Sequence, residues 1–180
     1  MERLDLVSIR EHAEIEYNVS NCIYDGKSYM VHVDMVGDFI EKHKLVFKFF
    51  EDYEIALAAA YFHDTMEDAK CTFNDVKKFT NADVARVVLN VTDVPAEDRF
   101  TKHMLTMSKT VTDYRAIILK LADIAANTSY SFKSGSGMYK KYVAEWVYRK
   151  AIFGFAINRY SEFLNMKEVD KIFAEIDSMN

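Results

Sequence analysis

Residues 53–68, YEIALAAAYFHDTMED, join an apolar, alanine-rich run to a dense polar ending. The uninterrupted apolar part, Ile55 to Phe62, has no polar stripe. A helix formed there has no face left for water, so other helices must pack closely against it. It is far shorter than the ~20 residues that cross a bilayer. Its end carries His63, Asp64, Glu67 and Asp68. His63 with Glu67 and Asp64 with Asp68 are i,i+4 pairs, and Asp64 with Glu67 is i,i+3, so a helix continuing through them projects all four groups together. Three carboxylates beside an imidazole repel one another unless a cation is present. A divalent metal removes that repulsion and takes N and O donors of this kind. A solvated helix end with a charge cluster is the plainer reading. What favours a site is that this cluster terminates a buried helix.

Working outward, Asp52 is placed to cap the start of that helix. Upstream, residues 3–20 read as a helix rich in acidic groups, followed by a turn at Asp25-Gly26. A helix from about Tyr29 to Lys42 has Val36, Phe39 and Ile40 at helical spacing. Downstream, helices are expected over 72–79, 83–91 and about 96–108, then over DYRAIILKLADIAANTS (113–129), apolar on most faces. Ser134-Gly135-Ser136-Gly137 is a flexible loop. Beyond it Tyr139, Tyr142, Val143, Trp146, Phe153 and Ile157 trace the buried stripe of a long helix, and a final amphipathic helix covers about 167–178. One Pro and five Gly in 180 residues leave too few turn residues for a sheet-rich fold. These patterns predict a single all-α domain over residues 1–180.

Composition narrows the function. The net charge of −5 argues against a nucleic-acid footprint. It leaves room for a phosphate-bearing small molecule, because a bound cation reverses the sign of a site locally. The opening MERLDLVSIR carries acidic residues early and no apolar run of signal-peptide length, so no membrane partner and a cytoplasmic location are expected. Cys22 and Cys71 are read as two reduced thiols.

Two more segments place polar groups among apolar ones. In KLADIAANT (120–128), Asp123 and Asn127 are i,i+4 on a helix that also carries Ile117, Ile118, Leu121 and Ala122. A lone carboxylate there needs a metal or a basic partner, and Asp123 alone does not decide between them. His32, in SYMVHVDMV, shares a face with Val36 and Phe39, where a histidine is more often a hydrogen-bonded core residue than a ligand. His12, His43 and His103 read as surface or structural, and Asp34, Asp75 and Asp93 as caps or solvated positions.

Taken in order, DGKSYMVHV, YFHDTMED and KLADIAANT resemble the HD superfamily of metal-dependent phosphohydrolases. Within it the likeness is to the hydrolase domain of RelA/SpoT-type alarmone enzymes and to stand-alone metazoan homologues of it. That group shows DG-x-x-Y-x-x-HP, then HD-x-x-ED, then KLAD-x-x-x-N. The likeness spans residues 10–160 and implies an HD-type helical bundle. It also implies that His32, His63, Asp64 and Asp123 ligate a metal, usually Mn²⁺, with Fe²⁺ or Zn²⁺ suited to the same donors. Glu67 and Asp68 would orient and deprotonate the attacking water, and Asn127 would contact the nucleotide. Val33 stands where the group has a proline, and Cys22-Ile23-Tyr24 where it has a basic stretch. Tyr24, by stacking, and Lys27, by its charge, are candidates to replace that stretch, with Tyr142 a further candidate beside the nucleotide. The expected reaction removes pyrophosphate from the 3′ position of an alarmone such as (p)ppGpp or (p)ppApp. A 5′-nucleotidase or a phosphatase of a phosphorylated dinucleotide is the alternative. A non-catalytic nucleotide-binding module is a further one, disfavoured by the pair Glu67 and Asp68.

Overall fold

The computed structural model describes residues 3–179. Among them the chain forms α1 (Leu6–Val19), a two-stranded hairpin β1 (Ile23–Tyr24) and β2 (Lys27–Ser28), α2 (Met30–Lys42), α3 (Phe50–Phe62), α4 (Thr65–Asp68), α5 (Phe73–Phe79), α6 (Ala82–Val91), α7 (Arg99–Thr110), α8 (Tyr114–Lys133), α9 (Met138–Ile157) and α10 (Met166–Ser178). Two short 3₁₀ turns, Lys44–Val46 and Asn158–Tyr160, complete it. The result is the all-α bundle that the scarcity of turn residues predicted. No helix among the described residues is long and apolar enough to cross a membrane.

Helix α3 is buried on every face from Asp52 to Ala60. Ala56, Ala58, Ala59 and Ala60 are each 0% exposed, and α1, α2, α6 and α8 pack around them. Helix α8 is the second central element, in contact with α2, α3, α6, α7 and α9, and Ile117, Leu119, Leu121 and Ala122 are fully covered. Side-chain caps start several helices: Thr72 and Asp75 form a reciprocal capping box on α5, and Asn81, Asp98 and Asp113 cap α6, α7 and α8. The hairpin turns on Asp25 and Gly26, with φ of 50° and 74°. Two consecutive left-handed residues define the tight reversal for which Asp-Gly is a preferred pair.

Two local expectations are corrected. Asp52 does not cap α3, which begins at Phe50; it lies in the first turn, buried and 3.6 Å from the Arg115 guanidinium. Helix α3 also does not run through the polar cluster. It stops at Phe62, whose carbonyl accepts the hydroxyl of fully buried Thr65 at 2.7 Å, and the chain re-enters a helix as α4. That hydroxyl satisfies a helix-end carbonyl left without a backbone partner.

Because Leu121 is wholly enclosed by central helices, Leu121→Ala should lower unfolding free energy by about 2–5 kcal/mol. Urea denaturation measures it, and a loss below about 1 kcal/mol would contradict a close-packed centre around α8.

Candidate metal centre and substrate clefts

Three separate pieces of chain bring the predicted ligands together: His32 from α2, His63 and Asp64 from the α3–α4 junction, and Asp123 from α8. The two Nε2 atoms of His32 and His63 face each other at 3.1 Å. Asp64 Oδ2 lies 3.0 Å from His63 Nε2 and 3.5 Å from His32 Nε2. Asp123 Oδ1 lies 3.4 Å and 4.0 Å from His32 and His63. The ligand atoms of His32, His63 and Asp123 all fall within 4.8 Å of one another, so these three groups could hold a metal ion.

The donor chemistry fits one. His63 Nδ1 lies 2.8 Å from the Ala60 carbonyl. A carbonyl can only accept, so Nδ1 carries the proton and the Nε2 lone pair points into the cluster, the tautomer a metal requires. Both imidazoles are buried, as is Asp123. Burial works against a charge on His32, but hydrogen bonds with Asp123 and Asp64 outweigh it and push its pKa up to about 9. Burial likewise opposes the charge on Asp123, but Lys120, with Nζ at 3.0 Å from Oδ2, and the His32 contact hold the carboxyl well below its usual range. In the absence of a cation, a proton takes the place between imidazoles and carboxylates that a metal would fill.

Tyr29, Glu67 and Asp68 surround this cluster. The Tyr29 hydroxyl lies 2.7 Å from Asp64 Oδ2 and 2.6 Å from Asp68 Oδ2. Glu67 Oε1 accepts the Asp93 backbone N–H at 2.6 Å. Burial, reinforced by the nearby charge of Asp64 and opposed by Lys120, pushes the Glu67 carboxyl up to about 7. All these residues line one cleft of about 200 Å³ together with Arg99, His103, Lys120, Asn127, Tyr142 and Arg149. Asn127 donates to Asp123 Oδ1, and its own Oδ1 accepts the Tyr24 hydroxyl at 3.1 Å. Tyr24 also lies flat on His32, with ring centres 4.9 Å apart.

A second cleft, of about 430 Å³, is lined by Tyr24, Asp25, Tyr130, Ser131, Ser134, Ser136 and Met138 and shares Asn127 and Tyr142 with the first. Lys27 does not line it, but its Nζ stands 5.5 Å from the centre of the Tyr130 ring. Every residue singled out for metal, water or nucleotide is therefore in or beside these two adjoining clefts.

Several other residues were not anticipated there. Arg99, Lys120 and Arg149 supply cationic groups that Cys22-Ile23-Tyr24 does not. The only sequence signal was for Lys120, i,i+3 from Asp123. His103, expected at the surface or in a structural role, is buried at the cleft, and Asp93 lies in it too, with Lys102 Nζ 2.6 Å from its carboxylate. Asp34 caps no helix; half-exposed to solvent, it accepts two hydrogen bonds from Arg10 at 2.8 and 2.9 Å.

The architecture of this chain is an all-α bundle. Its structure is similar to that of a metazoan ortholog of SpoT, described as hydrolysing ppGpp and playing a role in starvation responses. The TM-score is 0.69, with 19% sequence identity over 97% of this chain and 92% of that one, a likeness of fold. No protein-family sequence model matches the chain.

The cluster should take up one Mn²⁺ per chain in a calorimetric titration. Asp123→Ala should abolish that uptake, and Asp34→Ala should leave it unchanged. Because the ion must displace a proton from an imidazole whose pKa is near 9, affinity should rise roughly tenfold per pH unit between about pH 6 and 8. A pH-independent affinity would mean that the histidines are not ligands.

Proposed function

We propose that this protein is a metal-dependent nucleotide phosphohydrolase that removes the 3′-diphosphate of a purine alarmone such as (p)ppGpp or (p)ppApp. One juxtaposition carries the reading: the carboxylates Asp64 and Asp123 of the imidazole–carboxylate cluster, the acids Glu67 and Asp68, and the cations Arg99, Lys120 and Arg149 share a cleft that adjoins an aromatic, serine-lined one. The fold likeness to a ppGpp hydrolase and the three motifs in order support it.

In this reading His32, His63, Asp64 and Asp123 hold Mn²⁺, or Fe²⁺ or Zn²⁺ with the same donors. When bound, the ion polarises a phosphoryl oxygen and acidifies water. Glu67, with its carboxyl near pH 7, can take a proton from the attacking water and return one to the leaving oxygen. Asp68, one oxygen engaged by Tyr29, keeps the other to orient that water. Water adds to the phosphorus on the 3′ oxygen, the P–O3′ bond breaks, the 3′ oxygen gains the proton and diphosphate departs. Asn127 and Tyr142, common to both clefts, are placed to meet the ribose, while Tyr24 can stack on the base and Lys27 adds charge for the 5′-phosphates.

Mn²⁺-loaded protein should convert ppGpp or ppApp to the nucleoside 5′-diphosphate and pyrophosphate, separable by anion-exchange chromatography. Glu67→Ala or Asp68→Ala should cut turnover by about 10²–10⁴ with Mn²⁺ binding retained. Asn127→Ala should mainly raise KM. Release of phosphate alone from 5′-monophosphates, with alarmones untouched, would replace this reading with a nucleotidase. Tight nucleotide binding without turnover would leave a binding module.

The pH profile gives a separate check. A base must be ionised, so kcat/KM should climb with pH through an apparent pKa at or below about 7, since a bound cation moves the Glu67 carboxyl down. Glu67→Gln should remove that limb. Its persistence in the variant would assign it to another group.

A further inference from the structure

Helix α9 buries an acid that the chemistry above does not use. Glu145 and Arg149, one turn apart, are only 9% and 8% exposed. Glu145 Oε2 forms an ion pair with Arg149 Nη2 at 3.0 Å and accepts Arg99 Nη2 at 3.2 Å, and its Oε1 accepts Arg99 Nε. One carboxylate thus grips guanidinium groups from two helices. Arg99 and Arg149 line the cleft of the metal cluster, whereas Glu145 does not. His103, which also lines the cleft, packs against the pair, its Nε2 2.9 Å from Arg149 Nη2. Burial and the adjacent Arg149 charge push His103 down to about 4, so it adds no positive charge at neutral pH.

Two guanidinium groups beside each other repel, and without a counter-ion they would turn apart into water. A single carboxylate between them removes that tendency and still leaves the trio with a net positive charge. Their planar forks suit the paired oxygens of a diphosphate better than a single charge would. We infer that Glu145 is a positioning residue that holds Arg99 and Arg149 as a preassembled clamp for a diphosphate group, one that binds inorganic pyrophosphate itself. The inference rests on the reading of this cleft as a site for a phosphorylated nucleotide.

The contrary view is that Glu145 only neutralises buried charge, and the two views differ in sign. If it merely neutralised, Glu145→Gln would raise the local positive potential and tighten anion binding. As a positioning residue, its loss should weaken binding despite the added charge.

Calorimetry of the whole protein with inorganic pyrophosphate, in chelator so that no metal bridges the ligand, reads this directly. Wild type should bind, and Glu145→Gln should bind about tenfold or more weakly. Arg99→Gln should cost as much, and the double variant little more than either, because all three disable one clamp. Glu145→Asp keeps the charge but is too short to span both guanidinium groups, so it should also weaken binding; it decides the matter if Glu145→Gln fails to fold. Tighter binding in Glu145→Gln, unchanged binding in Glu145→Asp, or no binding by wild type would overturn the inference. Alarmone hydrolysis is scored separately. A clamp that responds as expected in a protein that hydrolyses no alarmone would sink the hydrolase reading and leave the clamp standing.

Discussion

Close approach of helices around the alanines of α3 is the constraint on which the rest depends. With nothing larger than a methyl group at positions 56, 58, 59 and 60, α2 and α8 come near enough for His32 and Asp123 to meet His63 at the helix's end. Larger side chains at those positions would force the helices apart, and a cluster with donor atoms 3–4 Å apart has no tolerance for such a shift. Packing at the centre of the bundle and geometry at its polar end are therefore one problem.

The break between α3 and α4 solves its second half. A continuous helix would place His63 and Asp64 on faces about 100° apart. Ending at Phe62, with Thr65 taking the freed carbonyl, lets adjacent residues both turn inward, so that His63 Nε2 and Asp64 Oδ2 sit 3.0 Å apart. The acids so gathered do not stand alone: Lys120 and the two arginines answer them from α7, α8 and α9 in the same cleft.

The helical architecture was legible because it rests on repeated local signals: apolar spacing and few Gly and Pro. Caps were less legible: Asp52, read as one, lies inside α3, while Asn81, Asp98 and Asp113 cap α6, α7 and α8. The grouping of His32, His63 and Asp123 was legible only from the order of the three motifs, since His32 and Asp123 taken singly left a core histidine and a salt-bridged carboxylate open. What escaped was everything decided by tertiary neighbours. Arg99, Arg149 and His103 lie on helices whose charged residues give no hint of which will be buried, and the same holds for Glu145 beside Trp146. The helix break was equally hidden, because Thr65 reads as an ordinary residue until its hydroxyl is seen closing the turn.

The hairpin divides labour in a way the helices do not. Tyr24 leans on His32 and reaches Asn127, while Tyr130 donates to Asp25 at the turn, yet these few residues contribute almost nothing to the packed centre. A segment so lightly invested in the core can change its side chains without unsettling the bundle. The imidazole–carboxylate cluster is locked into the densest part of the molecule and has no such freedom. Drift in ligand preference is thus structurally inexpensive here, whereas drift in the chemistry would have to be negotiated with the whole fold.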